Sequence, residues 1–412
     1  MTLTKEQKER LAFEVSEVFT PAAPINEKDL FAGRREQLRR VIDAVNQRGQ
    51  HAIIFGERGV GKTSLANVLA GFVRQVVLAP RVNCDAADDY ASVWKKVFAE
   101  IELAQKTRGT GFVPVETAST VPLVETLPKK ITPEVVRQTL AMLGRGAPVI
   151  VIIDEFDRLG DADPSIRRLV ADTIKTLSDH AIPVTLVVVG VADTVEALIE
   201  EHHSVERALV QIQMPRMSRT ELEELVHKGL ARLNMQIDPI ALYRMTALSQ
   251  GLPHYTHLLG LHATRAAIDA ATETVTAEHI VNAIDTSLGQ AQHSIRSAHH
   301  KATMSQRKDN LYAKVLLACA LAETDDLAYF APSDVRDPLS SIMKKRYEIP
   351  SFARHLNHFC EASRGSVLQR TGVKHRYRFR FVNPLLQPFV LMQGLNDGLI
   401  EGRLFDIPPI SG

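Results

Sequence analysis

The chain of 412 residues has room for two or three domains, and 45% hydrophobic with 24% charged residues are the proportions of a globular protein with a sizeable core. No apolar run approaches the ~20 residues of a membrane span, the N-terminus lacks a signal-peptide core, and Cys84, Cys319 and Cys360 are too scattered for a disulfide framework or metal site, so the expected address is the cytoplasm with no membrane partner. The net charge of +1 hides an asymmetry that points to a polyanionic partner: residues 296–382 hold 16 Lys and Arg against 8 Asp and Glu, whereas residues 1–295 hold 32 against 37.

In chain order, residues 1–20 are predicted as an amphipathic helix with Leu11, Val15, Val18 and Phe19 on one face, packed on the body. Pro21 and Pro24 break it, and a second helix is expected over 35–48. The apolar run from His51 to Phe55 then leads into Gly56, Glu57, Arg58, Gly59, Val60, Gly61, Lys62 and Thr63, which satisfy GxxxxGK[ST], with Ser64 continuing as a helix. A strand delivers the loop, glycines let backbone N–H groups turn inward, and the helix N-terminus faces an anion. Lys62 is expected on the β and γ phosphates and Thr63 on Mg²⁺, with ATP or ADP as ligand.

A strand region over 75–83 and a helix over 88–104 follow, and then residues 105–131, rich in Gly, Thr and Pro without period, are expected to form an exposed insertion. Thr132 caps the next helix. Residues 148–153 form a continuous apolar strand ending in Asp154 and Glu155, where a parallel sheet places its Mg²⁺ ligand and the group that orients an attacking water. A helix over 165–179 and a buried strand over 183–190 complete the alternation of a doubly covered parallel sheet. From 218 the pattern is helical: 219–233, 238–249, 253–271 and 276–289.

Residues 309–382 read as three helices, over 310–322, from 333 and over 350–360, followed by a hairpin, which is winged-helix architecture. Arg354, His355, Asn357 and His358 lie on the third helix, and Lys344 to Arg346 precede it. Arg370, Lys374, Arg376, Arg378 and Arg380 in the hairpin are the candidate nucleic-acid contacts. The competing view is that Tyr377, Phe379 and Phe381 simply face inward and the cations stay solvated. The expected fold is thus an α/β P-loop NTPase sheet covered by helices, an all-α lid and a winged helix. The boundaries are an N-terminal helix at 1–24, the core at 25–217, the lid at 218–295, the winged helix at 309–382 and a tail at 383–412.

This order of phosphate loop, acidic strand, arginine, helical lid and winged helix resembles the AAA+ ATPases of the origin-recognition initiator and transposon target-selection branch, strongly over 25–290 and by architecture over 309–382. The resemblance implies that Ile25, Asn26, Gly33 and Arg34 lie beside the base and that Glu155 polarises water. It also implies that Asn83 holds that glutamate when idle, although an ordinary strand-end turn explains Asn83 equally well. Arg207 matches the arginine that completes a neighbour's site in a homo-oligomer, against the alternative of a plain surface residue. Two positions depart from the family. Asp193 or Thr194 stands where the fourth-strand sensor is usually Asn, and His254 stands where the lid usually has Arg. The turn Gly251, Leu252, Pro253 resembles STAND switches, in which the proline lies against the nucleotide and the lid locks ADP. These departures imply slow, partner-stimulated hydrolysis, and the basic winged helix implies a DNA partner. The alternative is a switch acting on a protein effector or co-encoded partner, as in anti-phage defence.

Overall fold

The computed structural model describes residues 3–23, 33–73, 78–108, 116–159, 165–195, 198–199, 203–305, 311–373 and 376–401. The chain opens with α1 (Lys5–Val18), α2 (Arg35–Asn46), β1 (His51–Gly56), α3 (Lys62–Val73) and β2 (Arg81–Asn83). It continues through α4 (Tyr90–Ala99), β3 (Glu102–Arg108), β4 (Glu116–Pro122), α5 (Pro133–Gly144) and β5 (Val149–Asp154). The core closes with α6 (Ser165–Asp179), β6 (Val184–Val191), α7 (His203–Glu206) and β7 (Leu209–Gln213). Five strands form one parallel sheet in the order β2-β5-β6-β1-β7. Every residue of β1 and β5 is buried, as the apolar runs Ala52 to Phe55 and Val149 to Ile153 require for strands covered on both faces. Because all strands are parallel, Gly56, Asp154 and Val191 emerge at the same edge, and the loops there meet.

The lid comprises α8 (Arg219–Arg232), β8 (Gln236–Ile237), α9 (Pro239–Ser249), α10 (Pro253–Asp269), β9 (Thr274–Val275) and α11 (Ala277–Gln290). Ser218 and Asp238 cap α8 and α9 by accepting from the backbone N–H of Glu221 and Ala241. After α12 (His293–Thr303) come α13 (Tyr312–Leu321), α14 (Pro332–Met343), α15 (Ile349–Phe359), the antiparallel hairpin β10 (Leu368–Thr371) and β11 (Arg378–Phe381), and α16 (Leu386–Asn396). Three helices and a hairpin stand in winged-helix order. Phe379 and Phe381 are buried against Phe330 while Tyr377 is half-buried, as the alternation predicts.

The N-terminal helix is fastened to the lid. Phe19 fills the space that glycine leaves on two lid helices: a Cβ on Gly229 or Gly260 would lie 2.8 or 2.7 Å from its ring. Lys8 donates to the Asp269 carbonyl at 2.8 Å and the Leu3 N–H to that of Ala271 at 3.0 Å, so α1 and α10 form one packed unit.

Three expectations are corrected. The helix expected to reach residue 104 stops at Ala99, and the stretch expected to be an aperiodic insertion contains the antiparallel pair β3 and β4, with Glu102 opposite Pro122 and Arg108 opposite Glu116. Its polar composition lacks the apolar alternation by which strands are recognised, and a ladder of backbone bonds needs no such alternation. The supposed C-terminal tail holds α16, buried on nearly every side; an all-round apolar helix has no amphipathic period to read.

Candidate functional site

Beyond the C-terminal edge of β1, β5 and β6 lies a cavity of about 510 Å³. Gly59 to Ser64 form its floor, Asp154, Glu155, Asp157 and Arg158 one wall, and Thr20 to Ala23 with Pro253, His254 and His257 the opposite wall. The loop is shaped by its glycines. A Cβ on Gly56 would overlap the Met214 carbonyl oxygen, and Gly59 has a φ of +87°, which only glycine adopts without strain. Lys62 is buried at the start of α3, its Nζ donating to the carbonyls of Gly56 at 2.9 Å and Glu57 at 2.7 Å. Burial lowers its pKa to about 8, with Asp157, Asp154 and Glu57 pulling back upward. A desolvated ammonium held by carbonyls gains most from an incoming phosphate, which restores full countercharge.

Arg34 and Gly33 both adopt left-handed backbone conformations, and Glu221 accepts from the Arg34 N–H at 3.1 Å. The Arg34 side chain is 3% exposed and donates to the carbonyls of Val60 at 3.3 Å and Pro215, so it braces the phosphate loop from below. Burial lowers its pKa, offset in part by Glu221. On the lid, the His254 Nδ1–H donates to the Pro21 carbonyl at 2.9 Å, whereas His257 Nδ1 accepts from the Thr20 N–H at 3.3 Å. The two rings therefore carry their protons on different nitrogens and together hold the 20–23 segment over the cavity. Burial lowers both pKa values, that of His257 to about 4.

At the acidic edge, Asp154 is 2% exposed; its Oδ1 accepts from the Glu155 N–H at 2.8 Å and its Oδ2 from Arg81 at 2.8 Å. Thr63 and Asp154 both line the cavity and offer the hard oxygen donors that magnesium takes, so the residues fit the ion, with the Asp154 charge already met by Arg81. Glu155 has a φ of +55°, which turns the chain and sets Arg158 one turn on, 3.2 Å from its carboxylate. Asp157 fastens this turn to the tip of β6 by accepting from the Val191 N–H at 2.7 Å.

Arg58 to Ser64, Arg34, Asp154, Glu155, Pro253 and His254 all line the cavity, and Lys62 ties in the carbonyls of Gly56 and Glu57 behind them. Asn83 sits opposite Asp154, the residue before Glu155; it is exposed, and its amide oxygen lies 3.5 Å from Arg81. Arg207 precedes β7 at the opposite edge of the sheet, beside Gln50, with its side chain 78% exposed and 3.9 Å from Asp179. Asp193 and Thr194 do not line this cavity; Gly190 and Val191 do. Ile25, Asn26 and Lys374 lie outside the described residues.

The wing differs from expectation. Arg380 is committed inward, bonded through both terminal nitrogens to Asp193 at 2.6 and 2.5 Å, and Arg378 pairs with Asp325 at 2.9 Å. Arg370 and Arg376 are exposed, Arg370 lying over the Tyr377 ring and donating to Asn357 at 2.7 Å. On α15, His355 is buried and His358 meets the Tyr312 hydroxyl, which leaves Arg354 and Asn357 at the surface. Sequence reasoning missed Arg216, whose Nε donates to Glu57 of the phosphate loop at 2.8 Å and whose Nη1 donates to Gln387 of α16 at 2.7 Å. It also missed Arg81, Asp157 and Arg158. Asp157 and Arg158 carried a weak signal by following the acidic pair directly; Arg216 and Arg81 carried none, because the carboxylates they pair with lie 159 and 73 residues away.

A phosphate loop on a parallel sheet, an acidic strand end beside it and a helical lid over it define a P-loop NTPase. The chain belongs to the family described as Novel STAND NTPase 1, whose model matches residues 23–321. No curated protein matches it. Among solved structures it is similar to the Walker-type ATPase of Pyrococcus abyssi, at 15% identity and a TM-score of 0.51, covering 90% of this chain and 98% of that one. It is also similar to the Aeropyrum pernix ORC1 protein in complex with DNA, at 16%, 0.47, 94% and 97%, and to the Aeropyrum pernix ORC2 protein in ADPNP–ADP complexes, at 15%, 0.49, 93% and 98%. The Pyrococcus likeness speaks for the fold.

Proposed function

We propose that the protein is a nucleotide-controlled switch in which ADP holds the winged helix docked on the ATPase core and ATP releases it toward a protein effector. The observation that carries this is the contact between the C-terminal helix and the phosphate loop itself. Arg216 joins Glu57 to Gln387, and the Leu385 side chain lies 3.1 Å from where a Cβ on Gly59 would sit. The Tyr255 hydroxyl donates to the Leu385 carbonyl at 2.7 Å, and Arg380 binds Asp193 two residues beyond the cavity. A change in phosphate number at the loop therefore alters what α16 rests on.

In this reading Lys62 and the loop N–H groups bind the phosphates, Asp154 and Thr63 hold magnesium, and the Glu155 carboxylate orients water for hydrolysis, which resets the switch. Bound magnesium neutralises phosphate charge. Pro253 and His254 contact the nucleotide from the lid. Arg207 points away from its own loop and serves a neighbouring copy, so assembly accompanies release. The decisive experiment compares hydrodynamic radius and ADP release for the wild type, Arg216→Ala and Glu155→Gln. A compact ADP form, an expanded ATP form of Glu155→Gln and faster ADP release from Arg216→Ala are expected. Identical radii with both nucleotides and unaltered release from Arg216→Ala would overturn the switch.

A second reading, engagement of DNA, is favoured by the exposed cations Lys344, Lys345, Arg354, Arg370 and Arg376 on the winged helix. It expects salt-sensitive binding of duplex DNA and DNA-stimulated turnover.

A further inference from the structure

The Asp154 carboxylate has a protein countercharge of its own. Arg81 Nη2 lies 2.8 Å from Asp154 Oδ2, with the two side chains 20% and 3% exposed. The guanidinium is fixed from other sides as well: Nη1 donates to Asn67 on α3, the helix that follows the phosphate loop, and Nη2 lies 3.5 Å from the Asn83 amide oxygen. β2 runs beside β5 with Arg81 opposite Ile152 and Asn83 opposite Asp154, so Arg81 reaches forward along the strand to the acidic tip. This arginine is built into the sheet and needs no conformational change to meet the carboxylate.

A buried carboxylate has to be neutralised, and in most phosphate-loop sites a divalent cation carried by the nucleotide contributes to that. We propose that Arg81 takes over this part of the metal's work, so that the site accepts ADP without a divalent cation and requires magnesium only when a third phosphate adds charge. Two sources of positive charge then divide the work: Arg81 is paired with Asp154, and Lys62, buried at the start of α3, is left for the phosphates. The inference deepens the nucleotide reading above and rests on it.

The test measures ADP affinity by calorimetry in magnesium and in EDTA. The wild type is expected to change by no more than about threefold between the two buffers, whereas Arg81→Gln, which leaves Asp154 unpaired, gains a metal dependence of about tenfold or more. Because Arg81→Gln strands a buried charge and threatens folding, Arg81→Gln/Asp154→Asn provides the second measurement: with the charge removed, ADP binding returns to metal independence. Wild-type affinity that collapses in EDTA, or equal metal dependence in wild type and Arg81→Gln, overturns the proposal. Absence of ADP binding in both buffers overturns the nucleotide reading itself, an outcome distinct from the other two.

Discussion

The nucleotide cavity and the wing both display cations in the sequence, and the structure treats them in opposite ways. In the cavity Lys62 and Arg34 are buried with their side chains bonded to backbone carbonyls, and the carboxylates near them offset the burial only in part, so an anion improves their surroundings. On the wing Arg378 and Arg380 already have carboxylates, from Asp325 and Asp193, and an incoming phosphate has to displace them. Arg370 and Arg376 are exposed with no carboxylate paired to them among the described residues, whereas Arg378, also exposed, is paired with Asp325. Countercharge and burial decide which cations an anion can use; their number in the sequence does not.

The sharpest way to break this contrast is at the loop. Lys62→Ala is expected to weaken ADP and ATP binding about 100-fold, and Glu155→Gln to leave binding intact while lowering turnover by about 10²–10⁴, both read by calorimetry and phosphate release. Normal turnover in Glu155→Gln would remove that residue from the chemistry. A step smaller is the joint between α1 and the lid: Gly260→Ala places a methyl 2.7 Å from the Phe19 ring, and such overpacking costs about 1–3 kcal/mol, visible as a lower Tm. If Tm does not move, the N-terminal helix is not packed on the lid in solution.

On the wing the two kinds of arginine should separate. Asp193→Ala leaves the largely buried Arg380 without its partner and should destabilise by about 1–3 kcal/mol, whereas Arg376→Ala should change stability by less than about 0.5 kcal/mol. If DNA binds, Arg376→Ala lowers the salt dependence of that affinity by about one ion while Asp193→Ala leaves it unreduced. The smallest effect is the response to pH. Because burial brings the Lys62 pKa down to about 8, its charged form declines as pH rises through that value, and ADP affinity should begin to fall there; a lysine of ordinary pKa would keep affinity flat to about 10.

Residue types and local spacing determined much of this protein. The GxxxxGK[ST] loop, the apolar strands and the acidic pair after Ile153 are each contiguous, and a strand buried on both faces leaves an unbroken hydrophobic run. The lid helices were legible because their caps and periods are local: Ser218 and Asp238 mark two starts, and α10 begins at Pro253 as expected. What tertiary structure alone decided are the pairings between distant charges and the fate of segments without period. Arg81 found Asp154, Arg216 joined Glu57 to Gln387, and Arg380 turned to Asp193 through contacts formed only when strands, lid and wing assemble. The same assembly made a buried helix of Leu386–Asn396, which reads as a tail in isolation because it is apolar all round. A side chain's spacing along the chain reports its face of a helix or strand, while its countercharge depends on which remote segment folds against that face.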